Sequence, residues 1–341
     1  MNLSIDRDRA RRAWKKLLIG LLLLSVLSAG SLMHIVGGPG NLLDILLSIR
    51  LDVLLASFSV LFIAEIVKSW RLTLIGRLLG FRIPVKDSLL ARISGRFVGV
   101  LTPAYAGATP TRAIIISAYT GLPPGNSFGL SVYESILDSF IPVFFSLLLL
   151  IPLLPDSWLS VLVALFILGM WIGGIGYAST DRIESFLKRV NAPEELVCYV
   201  SGQRKLFLSA IKSSTSTRIL IPTIAVTLIS HVIEAYALYI VLTGHFSLVD
   251  PVSLIKAFIL LEASYVLTMS PTPGGSVFFE YGLSDIMNSY SLVLWRVVFL
   301  LFSILPGAVI LVAIKSVRNY IEQALVREVK DCASNTVNED I

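Results

Sequence analysis

Two apolar stretches of this chain are interrupted by proline and glycine, at LTPAYAG (residues 101–107) and MSPTPGG (residues 269–275). Each interruption joins a hydroxyl residue to a proline and places a glycine four residues after that proline. Because proline removes a backbone donor and glycine permits sharp reversals, neither stretch is expected to form an unbroken helix. Matching broken segments in the two halves of a membrane protein indicate a transport site near the bilayer midplane.

The composition favours a membrane protein. Of 341 residues, 55% are hydrophobic and 15% are charged, whereas a soluble domain carries roughly 25% charged residues. The net charge of +5 indicates no nucleic-acid partner, because the basic residues lie at helix ends, where they set membrane topology. We expect no cofactor. The cysteines, Cys198 and Cys332, fall in segments expected in the cytosol, so no disulfide is expected.

Eight apolar segments define the predicted fold. Six are uninterrupted and close to the roughly 20 residues that a membrane helix needs. They lie near residues 17–36, 51–70, 132–154, 158–178, 219–243 and 292–314. The other two, 89–120 and 252–285, contain the breaks. The sequence therefore predicts an all-α integral membrane protein with six full spans and two re-entrant helical hairpins.

The distribution of lysine and arginine predicts the orientation. Basic loops remain in the cytosol, and the basic segments are 1–16, 68–96, 182–218 and 315–330. The loops expected outside carry almost no basic residues; they are 37–50, 155–157 and 244–251. Both termini are thus expected in the cytosol of a cell-membrane protein. This assignment requires the hairpin at 89–120 to enter from the cytosol and the one at 252–285 to enter from outside.

Each half then consists of two spans, a hairpin and a third span, and the two halves have opposite orientations in the membrane. The halves are residues 17–154 and 158–314, and the second includes a cytosolic loop at 179–218. A basic N-terminus (1–16) and a tail (315–341) flank them. The first prolines of the two breaks lie 168 positions apart, as do the starts of the second span in each half. This pattern predicts an inverted repeat; the alternative is two coincidental breaks in unrelated kinked helices.

Several ionisable residues lie at membrane depth, where a charge usually faces a partner or water. Arg112 and Glu280 each follow the first proline of their break by nine residues, and Glu134 and Asp138 share a helix face. We expect Arg112 and Arg96 to contact a phosphate or another anionic headgroup, because the guanidinium fork donates two parallel hydrogen bonds. The carboxylates would balance these charges or relay protons. The alternative is a structural ion-pair network that holds the hairpins.

The hairpin tips add backbone amides and hydroxyls that could bind an anion or only cap the half-helices. We expect Arg92 at the cytosolic interface and Glu262 in an outer vestibule, and His231 with Glu234 is weak evidence for a metal. No catalytic residue and no metal ligand is predicted. The predicted substrate-binding residues are Arg96, Thr102, Pro103, Gly107, Arg112, Glu134, Asp138, Pro271, Pro273, Gly274, Gly275 and Glu280.

These residues also carry a family resemblance. The motifs are Arg96, Thr102-Pro103 to Gly107 and Arg112, Tyr133-Glu134 with Asp138, and Ser270-Pro271-Thr272-Pro273-Gly274-Gly275 followed by Glu280. Over about residues 13–320 the chain resembles the flippase-like membrane domain of the lysylphosphatidylglycerol synthases. The resemblance implies a multi-pass protein that moves an aminoacylated phospholipid between leaflets.

Two departures from the family pattern limit what the resemblance implies. The synthases carry a soluble aminoacyl-transfer domain after the membrane part; this chain ends at Ile341 without one, so lysylphosphatidylglycerol synthesis is not expected. A Gly-Glu pair is common after the first break in the family, but here Gly107 precedes Ala108. Glu134 or Glu280 would then have to serve as the acidic partner of Arg112.

The leading hypothesis is a translocator for an anionic phospholipid or a lipid-linked substrate, bound between the two hairpins. One alternative is an intramembrane enzyme acting on a phosphorylated lipid, with Glu134 and Asp138 as general acid and base. The other is an accessory subunit of a membrane glycosyltransferase. The expected partner is a membrane lipid, with a homo-oligomer or a membrane enzyme as a further possibility.

Overall fold

The computed structural model describes residues 7–150, 158–190, 194–246 and 249–313. These segments form thirteen helices, which confirms the predicted all-α membrane fold for the described part of the chain. The helices are α1 Arg7–Val36, α2 Pro39–Leu47, α3 Leu51–Leu78, α4 Val85–Val100, α5 Ala108–Thr120, α6 Pro124–Leu150, α7 Trp158–Ala178, α8 Arg182–Arg189, α9 Glu194–Ser214, α10 Thr217–Thr243, α11 Pro251–Thr268, α12 Phe278–Ser284 and α13 Ser289–Ala313.

Within the described residues, six helices are long and apolar enough to cross a membrane by themselves: α1, α6, α7, α10, α11 and α13. This set differs from the predicted one in two places. Helix α11 qualifies, although it was expected to be one arm of a hairpin. Helix α3 is counted only together with α2, and the two helices form an 80° bend.

Helix α3 connects two hydrophobic clusters. Leu61 belongs to the larger cluster, which gathers side chains from α1, α10, α11 and α13, and Leu72 belongs to the smaller one with Ile115 and Ile116 of α5. The turns of α3 between these clusters carry Glu65 and charged residues that follow it. The helix therefore presents charges between two apolar regions, where each charge needs a partner.

Both proline–glycine segments form breaks between packed helices. Helices α4 and α5 flank residues 101–107, and α11 and α12 flank residues 269–277. The two breaks touch: the Ala104 amide donates to the Ser270 carbonyl oxygen at 3.0 Å, and Pro103 lies opposite Pro273 as an isolated antiparallel bridge. The tips of the two helix pairs thus contact each other.

The bases of the two helix pairs lie at different ends of the molecule. Leu122, at the base of the α4–α5 pair, packs against the smaller cluster, and the adjacent Gly125 amide donates to Gln203 of α9 at 2.6 Å. At the other base, Met287 belongs to the larger cluster, and the Tyr281 hydroxyl lies 2.9 Å from His34 at the end of α1. Helix α3 connects these two clusters, so the two bases lie near different ends of α3.

The predicted loop at 179–218 contains the helices α8 and α9, and α9 packs along α6. Residues 7–16 of the predicted basic N-terminus form the start of α1. The predicted tail at 315–341 and the loop at 155–157 lie outside the described residues. The division of the chain into two repeat halves stays a prediction.

Candidate functional site

The described core contains a cluster of nine charged side chains, which we call the central cluster. Its cations are Lys68, Arg71, Arg92, Arg96 and Arg112. Its carboxylates are Glu65, Glu134, Asp138 and Glu234. Eight of these residues are buried, and the Asp138 side chain is 14% exposed. With every group ionised, the cluster carries one surplus positive charge.

Helix α3 contributes three members of the central cluster, spaced three residues apart on one face. Glu65 accepts hydrogen bonds from Arg92 at 2.8 Å and from Arg96 at 2.5 Å. The Lys68 ammonium donates to both oxygens of Glu234 on α10, at 2.8 and 2.7 Å. These bonds tie α3 to α4 and α10 through charge-assisted contacts, which are about twice as strong as neutral hydrogen bonds.

The carboxylates of α6 bind arginines. Asp138 accepts a hydrogen bond from Arg71 at 2.7 Å, and Glu134 accepts from Arg92 at 2.6 Å and from Arg71 at 3.1 Å. Since Glu134 and Asp138 face guanidinium groups, arginine neutralises this pair of carboxylates.

Three arginines of the central cluster each retain a buried donor without a hydrogen-bond partner, Arg71, Arg96 and Arg112, and the last two line a cavity. Arg112 reaches Asp138 at 3.4 Å and Ser135 at 3.5 Å, contacts at the long limit for a hydrogen bond. Its Nε and the Nη1 of Arg96 have no hydrogen-bond partner, although the residues are only 6% and 8% exposed. Buried donors without partners are costly, so these groups are suited to a ligand that accepts hydrogen bonds.

A cavity of about 100 Å³ opens onto these groups. Arg96, Arg112 and Asp138 form part of its polar side, and Tyr105 and Met269 bring both breaks to its wall. Its apolar side is formed by residues of α7 and α13, namely Ile167, Met170, Trp171 and Phe299. The cavity is therefore suited to a ligand with an anionic group on the polar side and an apolar group on the apolar side.

The residues of the breaks shape the tips. Thr102 accepts a hydrogen bond from the Gly107 amide at 2.9 Å, so this hydroxyl closes the turn that precedes α5. Gly275 has a φ of +68°, and an added Cβ would lie 2.4 Å from the Leu267 carbonyl oxygen. Only glycine accommodates both conditions.

The family model for the lysylphosphatidylglycerol synthase TM region matches residues 14–307. The chain belongs to this family. The match includes every residue that lines the cavity, and it confirms the resemblance that the two proline–glycine motifs suggested. No curated protein and no solved structure matches the chain.

In this member of the lysylphosphatidylglycerol synthase TM family, only part of the predicted binding set reaches the cavity. Arg96, Arg112 and Asp138 line it, and Glu134 lies 3.5 Å from Arg112 behind the wall. The remaining predicted residues do not line it; they are Thr102, Pro103, Gly107, Pro271, Pro273, Gly274, Gly275 and Glu280. Their part in substrate binding stays a prediction.

Glu280 forms a separate ion pair. It lies 2.9 Å from Arg296 of α13, and the Ser28 hydroxyl of α1 donates to it at 2.5 Å. Arg296 also donates to the Gly274 carbonyl oxygen at 2.9 Å and to Ser276. Arg112 and Glu280 have equivalent spacing after the two prolines, but they belong to separate groups of charges: Arg112 to the central cluster and Glu280 to the pair with Arg296.

Sequence analysis missed three residues of the central cluster. Lys68 and Arg71 were assigned to a cytosolic basic segment, and Glu65 was not considered; all three are at least 97% buried. The available signal was their spacing of three positions, which aligns charges on one helix face. Arg92 was expected at the interface, yet it is buried at the centre of the cluster.

Two other sequence-based expectations also changed. Glu262 is buried against His231, with 2.8 Å between its Oε1 and the ring Nδ1, instead of lining an outer vestibule. His231 and Glu234 share α10, but Glu234 binds Lys68. Among the described residues, no group of three or more histidine, cysteine, aspartate or glutamate side chains could hold a metal ion.

Proposed function

We propose that this protein moves an anionic phospholipid or lipid-linked substrate between the leaflets of the cell membrane. The headgroup would bind in the cavity between two oppositely oriented re-entrant hairpins, α4–α5 and α11–α12. One observation carries this proposal: the buried cavity places unused guanidinium donors of Arg96 and Arg112 opposite an apolar wall.

The electrostatics favour an anion. The central cluster has a surplus of one positive charge, and a buried uncompensated charge is unfavourable. Arg112 is its most weakly held cation, since its contacts to carboxylates are 3.4–3.5 Å long. A phosphodiester oxygen could accept a hydrogen bond from the free Nε of Arg112. Its negative charge would bring the net charge of the central cluster to zero.

The apolar wall favours a lipid. Helix α7 lines the cavity with Met170 and Trp171, whereas only 18% of its window Val161–Ala178 is buried inside the protein. One face of α7 therefore meets the headgroup site while the rest is available to the bilayer. Acyl chains could remain in lipid beside this helix during transport.

The arrangement of the two breaks favours access of the substrate to the cavity from both sides of the membrane. The two tips meet, and their bases lie at different ends of the molecule. This is the geometry expected of an inverted repeat, in which a fixed site lies at the repeat interface. The positive-inside assignment places the α4–α5 base and both termini in the cytosol. The proposal includes no catalytic step, because Glu134 and Asp138 are held by arginines.

A reconstituted transport assay tests the proposal. Proteoliposomes with fluorescent phosphatidylglycerol, phosphatidylethanolamine or an isoprenoid phosphate are treated with a membrane-impermeant quencher. We expect faster exchange of anionic lipids than in protein-free vesicles. Arg112→Ala should reduce that rate at least tenfold, because it removes the surplus charge that faces the headgroup.

Arg50→Ala is the matched control, since Arg50 pairs with Asp52 on the exposed surface. It should retain the wild-type rate. No exchange of any lipid in the panel, or full exchange by Arg112→Ala, would refute the proposed function.

A further inference from the structure

A second buried ionisable site lies beside the central cluster. His231 of α10 and Glu262 of α11 are 0% and 1% exposed, with 2.8 Å between Nδ1 and Oε1. Their outer atoms, His231 Nε2 and Glu262 Oε2, have no hydrogen-bond partner. Among the described residues, His231 is the only basic side chain within 4.0 Å of Glu262. The carboxylate therefore depends on the imidazole for its neutralisation.

This pair is suited to holding one exchangeable proton. A neutral imidazole beside a carboxylate leaves one buried negative charge, which the interior disfavours. One added proton makes the pair neutral, as a carboxylic acid with an imidazole or as an imidazolium–carboxylate pair. An imidazole exchanges protons with water near physiological pH without any covalent change.

One side chain links the pair to the cavity. The Tyr265 ring packs edge-on against His231, with 5.7 Å between the ring centres, and Tyr265 lines the cavity. The Lys68 ammonium lies 5.4 Å from the centre of the same ring and binds Glu234. A change of charge at His231 is thus separated from the headgroup site by one aromatic ring.

The other charged groups on neighbouring elements do not compensate the pair. On the described parts of α3, α6, α12 and α13, which pack on α10 or α11, the buried and partly buried charged groups have ionic partners of their own: Glu65, Lys68, Arg71, Glu134, Asp138, Glu280 and Arg296. Lys256, on α11 itself, is exposed. The charge of the pair can therefore respond only to a proton or to a change in the central cluster.

The two sites balance each other. With a neutral imidazole, the pair carries one negative charge and the central cluster one surplus positive charge. A monoanionic headgroup in the cavity would leave the buried region with one net negative charge, and one proton on the pair would restore neutrality. We propose, building on the proposed function, that the His231–Glu262 pair takes up one proton with each monoanionic phosphodiester headgroup. The substrate class is then a lipid phosphodiester transported together with a proton.

Calorimetry measures the coupling directly. Dihexanoyl phosphatidylglycerol is titrated into the detergent-solubilised full chain, in buffers of different ionisation enthalpy, between about pH 5 and 8. The dependence of the observed enthalpy on the buffer gives the number of protons taken up. We expect close to one proton taken up per lipid bound.

The double variant His231→Gln/Glu262→Gln replaces the pair by two amides that can still hydrogen-bond to each other, so neither partner is left as an unpaired buried charge. It should bind the lipid without proton uptake. His245→Gln, at an exposed histidine, should behave as wild type. Proton uptake unchanged in the double variant, or absent from the wild type at every pH, would overturn the coupling.

A second measurement needs no ligand. The chain has three histidines, so NMR of protein labelled with ¹⁵N-histidine resolves few signals, and His231→Gln assigns one of them. That signal should titrate in the wild type and shift its midpoint in Glu262→Gln. An invariant signal would overturn the proton site itself. Absence of any lipid binding would instead contradict the proposed function and the coupling with it, while the histidine signal tests the proton site alone.

Discussion

At the scale of single residues, Glu65 is the carboxylate on which most of the α3–α4 contact depends. It accepts hydrogen bonds from Arg92 and from Arg96, and all three side chains are buried. A buried ion pair adds little net stability against an apolar replacement, but removal of one partner leaves an uncompensated charge. Loss of a carboxylate should therefore destabilise the folded protein more in the central cluster than on the surface.

Glu65→Gln is expected to destabilise the folded protein by about 3–5 kcal/mol, the usual cost of breaking a buried pair. Thermal unfolding in detergent, followed by circular dichroism, measures the change. Asp52→Asn is the control, because Asp52 pairs with Arg50 on the surface; its melting temperature should equal that of the wild type. Equal melting temperatures for Glu65→Gln and wild type would show that Glu65 is not needed to neutralise the arginines.

Glu280 gives a second prediction at this scale. Its carboxylate binds Arg296 and accepts the Val277 amide at 2.6 Å, while Val277 has a φ of +75°, a strained value for a β-branched residue. Glu280→Gln should lower the yield of folded protein, and the protein that does fold should retain its affinity for lipid. Normal yield combined with a tenfold loss of affinity would instead place Glu280 in the binding site.

At the scale of elements, the two breaks could be predicted from the sequence because proline and glycine change the backbone at their own positions. The positions of the proline and glycine residues predict where the flanking helices begin and end within a few residues; these helices are α4, α5, α11 and α12. The contact between the tips was not readable, since it depends on how distant helices pack. The same holds for Lys68 and Arg71: basic residues near a span end usually indicate a cytosolic loop, and only the length of α3 carries them into the core.

A substitution at Gly275 tests whether the tip between α11 and α12 requires a glycine. Gly275→Ala would combine an unfavourable φ with a Cβ 2.4 Å from the Leu267 carbonyl oxygen and 2.5 Å from the Thr268 Cα. We expect severe loss of folded protein, measured as the monodisperse fraction on size-exclusion chromatography. Gly173→Ala in α7 is the control, because its added Cβ meets no atom within 4 Å. Equal monodisperse fractions would show that the tip relaxes around a side chain.

At the scale of the whole molecule, the charge distribution and the geometry support the same arrangement. The Gly125–Gln203 hydrogen bond places the α5–α6 turn beside α9, and the positive-inside rule assigns both segments to the cytosol. The membrane class was thus predictable from composition. The locations of Glu262 and Glu280 were not, because sequence spacing does not identify the partner of a buried charge.

Cysteine labelling tests the orientation. In a variant without Cys198 and Cys332, a cysteine at Asn126 should react with a membrane-impermeant maleimide only from the cytosolic side. A cysteine at Asn288 should react only from outside, since the α11–α12 base lies at the other end of the molecule. Labelling of both positions from one side would refute oppositely oriented hairpins.

The contact between the tips also bears on the electrical insulation of the membrane. One backbone hydrogen bond joins Ala104 to Ser270, and the side chains of Leu24 and Val100 lie close to Gly274 of the second break. A net hydrogen bond contributes only about 1 kcal/mol, so the apolar side chains around it must exclude ions. Leu24 is 1% exposed, and Leu24→Ala should therefore make vesicles leaky to potassium before it abolishes folding. The contact between the two breaks would then be part of the barrier to ions across the bilayer.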